Sequence, residues 1–166
     1  KLNCSQALIM KKLNIYKIQT RTIQQGKALT LPKHERHDFS GTLEEKAYLI
    51  GFRLGDLFVS KTHPNSPTIR VSCNSTKNEQ VNLIHQLFNT YGYVKSIGPD
   101  KKGATNTRCY LNNTFKFLMS KYSNIPSWIL KSKKFSLSFL AGYLDAEGTF
   151  AVNNRNQPVF SVKSQD

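Results

Sequence analysis

FLAGYLDAEGTF, residues 139–150, is an apolar helical stretch interrupted by Gly142 and closed by two carboxylates, Asp145 and Glu147. Glycine costs a helix about 1 kcal/mol relative to alanine, so its central place asks for a compensating contact. YLIGFRLGDLFV, residues 48–59, has nearly the same layout. In register, Leu49 falls on Leu140, Gly51 on Gly142, Phe52 on Tyr143, Gly55 on Ala146 and Asp56 on Glu147. Small residues four apart, Gly51/Gly55 and Gly142/Ala146, leave one face of each helix without bulky side chains. Two such faces let helix backbones approach closely.

If the paired helices run side by side in the same direction, Asp56 and Glu147 emerge together at their C-terminal ends. Helix C-termini carry partial negative charge, so two carboxylates there repel, and a divalent cation would relieve the repulsion. Carboxylates with several retained waters are what Mg2+ prefers, and such an ion can activate water and stabilise charge on a phosphate. One acid at one helix end would be ordinary surface. Two copies, each followed by a strand pattern, point to a site.

The whole chain sets the class of partner. Lys and Arg number 24 against 10 Asp and Glu, a formal charge of +14 on 166 residues. That surplus favours a polyanion, nucleic acid by default, over a merely soluble basic surface. With 39% apolar and 11% aromatic residues the chain can bury one good core, or one domain and part of another. Cys4, Cys73 and Cys109 are odd in number and lack a C-x-x-C spacing, which argues against a zinc site or a disulfide framework and fits a reducing, intracellular setting. No apolar run has the length of a membrane span, and no signal peptide opens the chain. The first residue is Lys1, and both ends are expected to be cut from something longer.

Along the chain, Ser5 is placed to cap a short helix whose buried stripe would be Leu8, Ile9 and Leu13. With Lys11 and Lys12 at its end, it reads as the second half of a helix-turn-helix, or as an ordinary surface helix. Residues 16–41 form a basic, irregular connector, in which His34 and His37 are too isolated for a metal site. Thr42 followed by Glu45 has a capping-box spacing ahead of the first motif helix, which Asp56 closes. LFVSK and TIRVSCN alternate as strands, with Ile69, Val71 and Cys73 inward and Thr68, Arg70, Ser72 and Asn74 outward. A helix follows with Val81, Ile84, Leu87, Phe88 and Tyr91 as its stripe; His85 rides beside it. YVKSI and NTRCYLNN are two further strands, the latter with Cys109 and Leu111 inward and Arg108 and Tyr110 outward. TFKFLMSKYSN is another helix, broken at Pro126. The second motif helix then leads into TFAVN and VFSVKS, with Phe160 and Val162 toward the core and Ser161 and Lys163 outward.

In LAGYLDAEG, residues 140–148, and more weakly in LIGFRLGDL, residues 49–57, the sequence resembles the LAGLIDADG homing endonucleases. The resemblance covers roughly residues 42–166 and includes the order of elements and the approach IPSWILKSKKFSLSFLAG to the second motif. It implies an α+β fold built on an αββαββα repeat unit, a saddle-shaped antiparallel sheet with helices on one side. It also implies that the paired motif helices form the interface between repeats, through Gly51, Gly55, Gly142 and Ala146. By the same resemblance Asp56 and Glu147 are the catalytic, metal-binding acids, with Mg2+ or another divalent cation as cofactor. The implied partner is double-stranded DNA, cut on both strands across the minor groove. The first motif departs from the pattern with Leu54 at its sixth position and Leu57 at its ninth.

The division expected is therefore 1–41, a helix-turn-helix remnant and basic connector; 42–131, a first repeat; and 132–166, an incomplete second repeat. The second repeat lacks its middle helix, second hairpin and closing helix, so cleavage is expected to need a completed pseudo-dimer, in cis or from a second copy. Strand alternation places Arg70, Ser72, Lys95, Arg108 and Tyr110 on the face opposite the core, with Lys61, Lys101 and Lys102 in turns and Lys163 at the end. Basic and hydroxyl side chains on one face suit phosphate positioning and groove reading. Lys95 and Lys163 are candidates for the charge that polarises the scissile phosphate.

Two other readings compete. A non-cleaving nucleic-acid binder on the same scaffold, an intron RNA maturase or DNA-binding regulator, explains the basic face. Retention of both acids favours the nuclease, since two carboxylates near phosphates would weaken a pure binder. A basic ribosome-associated α/β protein explains the charge but not the repeated motif. Homing endonucleases are often carried in introns or inteins; no splicing-type His-Asn terminus is visible here. The place of work expected is intracellular: cytoplasm, nucleoid or organelle.

Overall fold

A computed structural model describes residues 4–22, 34–64, 66–120 and 124–162, without the side chain of Phe150. They belong to two units, Lys1–Lys33 and His34–Asp166. In the first unit, Ser5 Oγ accepts the Leu8 N–H at 3.3 Å and starts helix α1, Gln6–Ile15. The expected buried stripe is absent: no residue of α1 is buried, and Leu8 and Ile9 are 49% and 40% exposed. Among the described residues of this unit α1 is the one helix, and no second layer covers its apolar face.

The second unit begins with an extended segment and then α2, Leu43–Leu54. Both halves of the capping box form: the Glu45 N–H donates to Thr42 Oγ1 at 3.2 Å, and the Thr42 N–H to Glu45 Oε2 at 2.6 Å. The helix ends at Leu54 with Gly55 as cap, so Asp56 lies in the following turn and not, as its sequence suggested, on the helix. Strands β1 (Phe58–Lys61) and β2 (Ile69–Ser75), helix α3 (Asn78–Phe88), and strands β3 (Val94–Ile97) and β4 (Thr105–Leu111) follow. The four strands form one antiparallel sheet in the order β1-β2-β4-β3.

Period-two alternation decides which face is core. Ile69, Val71 and Cys73 of β2 and Thr107, Cys109 and Leu111 of β4 are buried, and their sequence neighbours turn outward. Onto the inner face pack Leu49 and Phe52 of α2, Ile84 and Phe88 of α3, and Phe115 and Leu118. The last two lie on a 3-10 helix, Asn113–Met119, where a helix was expected. Its three-residue turn brings residues three apart onto one side, and Phe115 and Leu118 are both wholly buried. Beyond Pro126, a short α4 (Ser127–Leu130) covers the opposite side of α2. Ile129 and Phe139 meet Ala47 and Ile50 there. Helix α2 is thus buried on two sides.

Helix α5 (Lys133–Glu147) leads into a hairpin of β5 (Gly148–Val152) and β6 (Pro158–Val162). Phe160 and Val162 do not face a core as expected; they are 41% and 40% exposed. The first sheet has four strands closed by α3, whereas this one has two and no covering helix among the described residues.

The segment His34–Phe39, irregular as expected, ties one end of the first sheet together. The His37 N–H donates to the Tyr91 carbonyl at 2.9 Å, ahead of β3. Asn112, just past β4, donates to the Arg36 carbonyl at 3.3 Å and to Asp38 Oδ1 at 2.9 Å. Arg36 donates to Thr68, just ahead of β2, and the His34 ring stacks on Tyr93 with centroids 4.0 Å apart. No helix among the described residues is long and apolar enough to cross a membrane.

Candidate active site

Two helices that would clash if they carried side chains at their crossing build the site. A Cβ placed on Gly51 would overlap the Phe139 carbonyl oxygen and lie 2.9 Å from the Tyr143 nitrogen. A Cβ on Gly142 would overlap the Tyr48 carbonyl oxygen and lie 3.1 Å from the Phe52 nitrogen. Further along, a Cβ on Gly55 would overlap that of Ala146. The order of these contacts, 51 to 55 against 142 to 146, means that α2 and α5 run in the same direction. Close backbone contact gives the dispersion that offsets the weak helix propensity of glycine.

Polar contacts fix the pair along its length. Lys134 Nζ lies 2.5 Å from Glu44 Oε1 near the helix starts, a surface pair of an exposed lysine and a partly covered glutamate, of small energetic weight. The Tyr48 hydroxyl donates to Asp145 Oδ2 at 2.6 Å. Burial and the neighbouring carboxylate push the Tyr48 phenol pKa well up, so it stays a donor. Asp145, the first acid of the second motif, is therefore engaged across the helix interface.

At the C-terminal ends the two motif acids converge. Glu147 Cγ and Oε1 lie 3.0 and 3.2 Å from the place a Cβ on Gly55 would occupy, next to Asp56. Burial, and then the charge of Asp56, hold the Glu147 carboxyl above the usual carboxylate range. Arg53 anchors the turn carrying Asp56: its guanidinium donates to the Leu57 carbonyl at 2.6 Å and the Leu118 carbonyl at 3.1 Å. Burial lowers the Arg53 pKa from its ordinary value. The neighbouring Leu57 side chain is driven into the core.

Two residues that sequence reasoning missed come to this place from the junction of β2 and α3. Gln80, nearly buried, donates to Asp56 Oδ2 and, at 3.5 Å, to the Ala146 carbonyl. Lys77 Nζ lies 3.5 Å from the Gly148 carbonyl. Neither carries a sequence signal; only the docking of α3 under the sheet brings them to the helix ends. Among the described residues no group of three or more His, Cys, Asp or Glu side chains is placed to hold a metal, His34 and His37 included. Cys73 and Cys109 are buried free thiols pushed up to about 12 by burial, so they are poor nucleophiles.

The outer face of the four-stranded sheet carries the basic residues in rows. Phe58, Ser72, Arg108 and Lys95 lie side by side across β1, β2, β4 and β3. Ser60, Arg70 and Tyr110 form the next row. Arg108 is held by Asn106 Oδ1. Arg36 Nε, Ser60 Oγ and Arg70 Nε are buried without a partner in the protein. Lys101 and Lys102 are exposed in the turn between β3 and β4. Lys61 is half-buried and donates to the Pro64 carbonyl at 3.3 Å. Lys163 lies outside the described residues. Lys95 stands on the strand farthest from Phe58, about 14 Å away at ~4.8 Å per strand. Lys77 is therefore better placed than Lys95 to supply positive charge beside the acids.

The sequence matches no family model and no curated protein. Similarity is found to solved structures. One is I-DmoI in complex with DNA and Mn, at 17% identity and TM-score 0.44 over 68% of this chain and 71% of that one. A second is an I-DmoI variant in complex with its target DNA nicked in the coding strand, at 17% and 0.42 over 64% and 63%. A third is the homing endonuclease I-WcaI bound to its DNA recognition sequence, at 16% and 0.46 over 64% and 52%. This chain thus spans under two thirds of the second and about half of the third.

Proposed function

We propose that this chain is part of a divalent-metal-dependent, site-specific DNA endonuclease of the LAGLIDADG homing type. The observation that carries the proposal is the convergence of Asp56 and Glu147 at the ends of two parallel, glycine-crossed helices. Two carboxylates that repel each other are what a hard divalent cation would hold together. They are too few for an all-protein cage, and they fit an ion such as Mg2+ that keeps waters and takes further ligands from phosphate. Asp56 and Glu147 would hold it. When bound, it supplies charge compensation at a phosphate and activation of water for hydrolysis.

The chain's own residues do the rest. Arg53 fixes the turn that presents Asp56, and Lys77 offers a cation to a phosphate at the same helix ends. The outward rows carrying Arg70, Ser72, Lys95, Arg108 and Tyr110 would lie along the duplex, with Lys101 and Lys102 at flanking phosphates. The unpartnered donors at Arg36, Ser60 and Arg70 sit on or beside that face, as donors kept for phosphate oxygens would. Full cleavage would need the second sheet completed to the size of the first, in cis or by another copy. A DNA substrate would place the protein at work inside a cell or organelle.

The test is cleavage of a randomised plasmid library with Mg2+ and with Ca2+, using the chain joined to a completed second repeat. The expected result is double-strand cutting at one site with Mg2+, lost in Asp56→Asn and Glu147→Gln while binding persists. Binding in both metals with cutting in neither would point instead to a non-cleaving nucleic-acid binder.

A further inference from the structure

We propose that Gln80 is a positioning residue that aims the Asp56 carboxylate at the space shared with Glu147. The inference rests on the function proposed above and adds to it a residue that neither motif contains. Gln80 is 8% exposed, and its side-chain amide has two N–H donors. One goes to Asp56 Oδ2 and the other, at 3.5 Å, to the Ala146 carbonyl in the last turn of α5. A single amide thus links the turn after the first motif helix to the end of the second. No other side chain among the described residues donates to Asp56.

The chemistry of the group explains why it suits this place. Asp56 is exposed and follows Gly55, against which the Glu147 side chain lies, so an untethered side chain would swing toward water and away from Glu147. A donor on Oδ2 holds it and leaves Oδ1 free for a ligand. A lysine or arginine there would neutralise the carboxylate and compete with a cation. A neutral amide orients it and keeps its charge. Burial matters as well, because an amide packed under the sheet has few rotamers to lose and cannot be displaced by water.

The experiment titrates the full chain with Mn2+, read by electron paramagnetic resonance of the free ion, beside a thermal melt of each variant. The wild type is expected to bind Mn2+, and Asp56→Asn to abolish that binding. Gln80→Met, which keeps the packing and removes both donors, should weaken Mn2+ binding by about 10- to 100-fold, the range for removing a partner of a metal ligand. Gln80→Asn, which withdraws the amide by one methylene, should weaken it similarly and covers the case in which Gln80→Met does not fold. Tyr48→Phe serves as the control. It breaks a hydrogen bond made directly between α2 and α5, and it should lower the melting temperature without changing Mn2+ affinity. Wild-type affinity in both Gln80 variants overturns the inference and leaves the proposed function standing. So does an equal loss in Tyr48→Phe, which would mean general loosening of the helix pair. If the wild type holds no Mn2+ that Asp56→Asn removes, the proposed function fails and this inference falls with it.

Discussion

Gly51 and Gly142 are reciprocal: each lies where a side chain would run into a backbone carbonyl of the other's helix, Phe139 for the first and Tyr48 for the second. The obstacle on both sides is backbone in a packed helix, which cannot rotate aside. Gly51→Ala or Gly142→Ala should therefore destabilise the protein by about 2–3 kcal/mol, although alanine is the better helix former by about 1 kcal/mol. Urea denaturation measures it. Stabilisation by either change would mean that the helices do not cross here.

Glu147 gives the molecule a pH dependence. Its carboxyl is held above its ordinary 4.5 by burial and by Asp56, so the native state takes up this proton at a higher pH than the unfolded chain does. Between 4.5 and the raised value the native state binds more protons, and this group's contribution to stability falls as pH rises through that window. Glu147→Gln should melt higher than the wild type near neutral pH, and the gap should close as the pH is lowered through the window. An unchanged gap at acid pH would contradict the cause assigned here.

Tyr48 and Asp145 hold the helix pair by one hydrogen bond of 2.6 Å. Tyr48→Phe should cost about 1 kcal/mol, the usual net value of such a bond. Asp145→Asn keeps an acceptor and should cost less. Chemical denaturation distinguishes the two. If Asp145→Asn proves the more damaging, Asp145 has a part beyond this contact.

The basic face predicts a salt signature. Arg108→Ala and Lys95→Ala should each make the plot of log affinity against log salt shallower by about 0.9 on duplex DNA. Lys134→Ala, at the other end of the motif helices and paired with Glu44, should leave the slope unchanged. Fluorescence anisotropy with a random duplex measures all three.

Much of this was legible in the residues because it depends on short periods. Alternation in β2 and β4 sorted inward from outward positions, and the spacing of Thr42 and Glu45 announced the cap of α2. The duplicated small-residue spacing predicted the close crossing, while its parallel direction entered only as a condition and is read from the contacts. What escaped depends on tertiary placement. Gln80 and Lys77 look like ordinary residues at a helix start, and only the docking of α3 carries them to the acids. The stripe of α1 and the inward set of β6 misled for a common reason. Apolar periodicity shows that a face could be buried, and the covering layer must come from elsewhere.

The most direct test is anomalous diffraction from crystals of this chain soaked in Mn2+. The account predicts a peak between the carboxylates of Asp56 and Glu147, with Gln80 still bonded to Asp56. Mn2+ bound elsewhere, or two carboxylates facing separate regions of solvent, would contradict it.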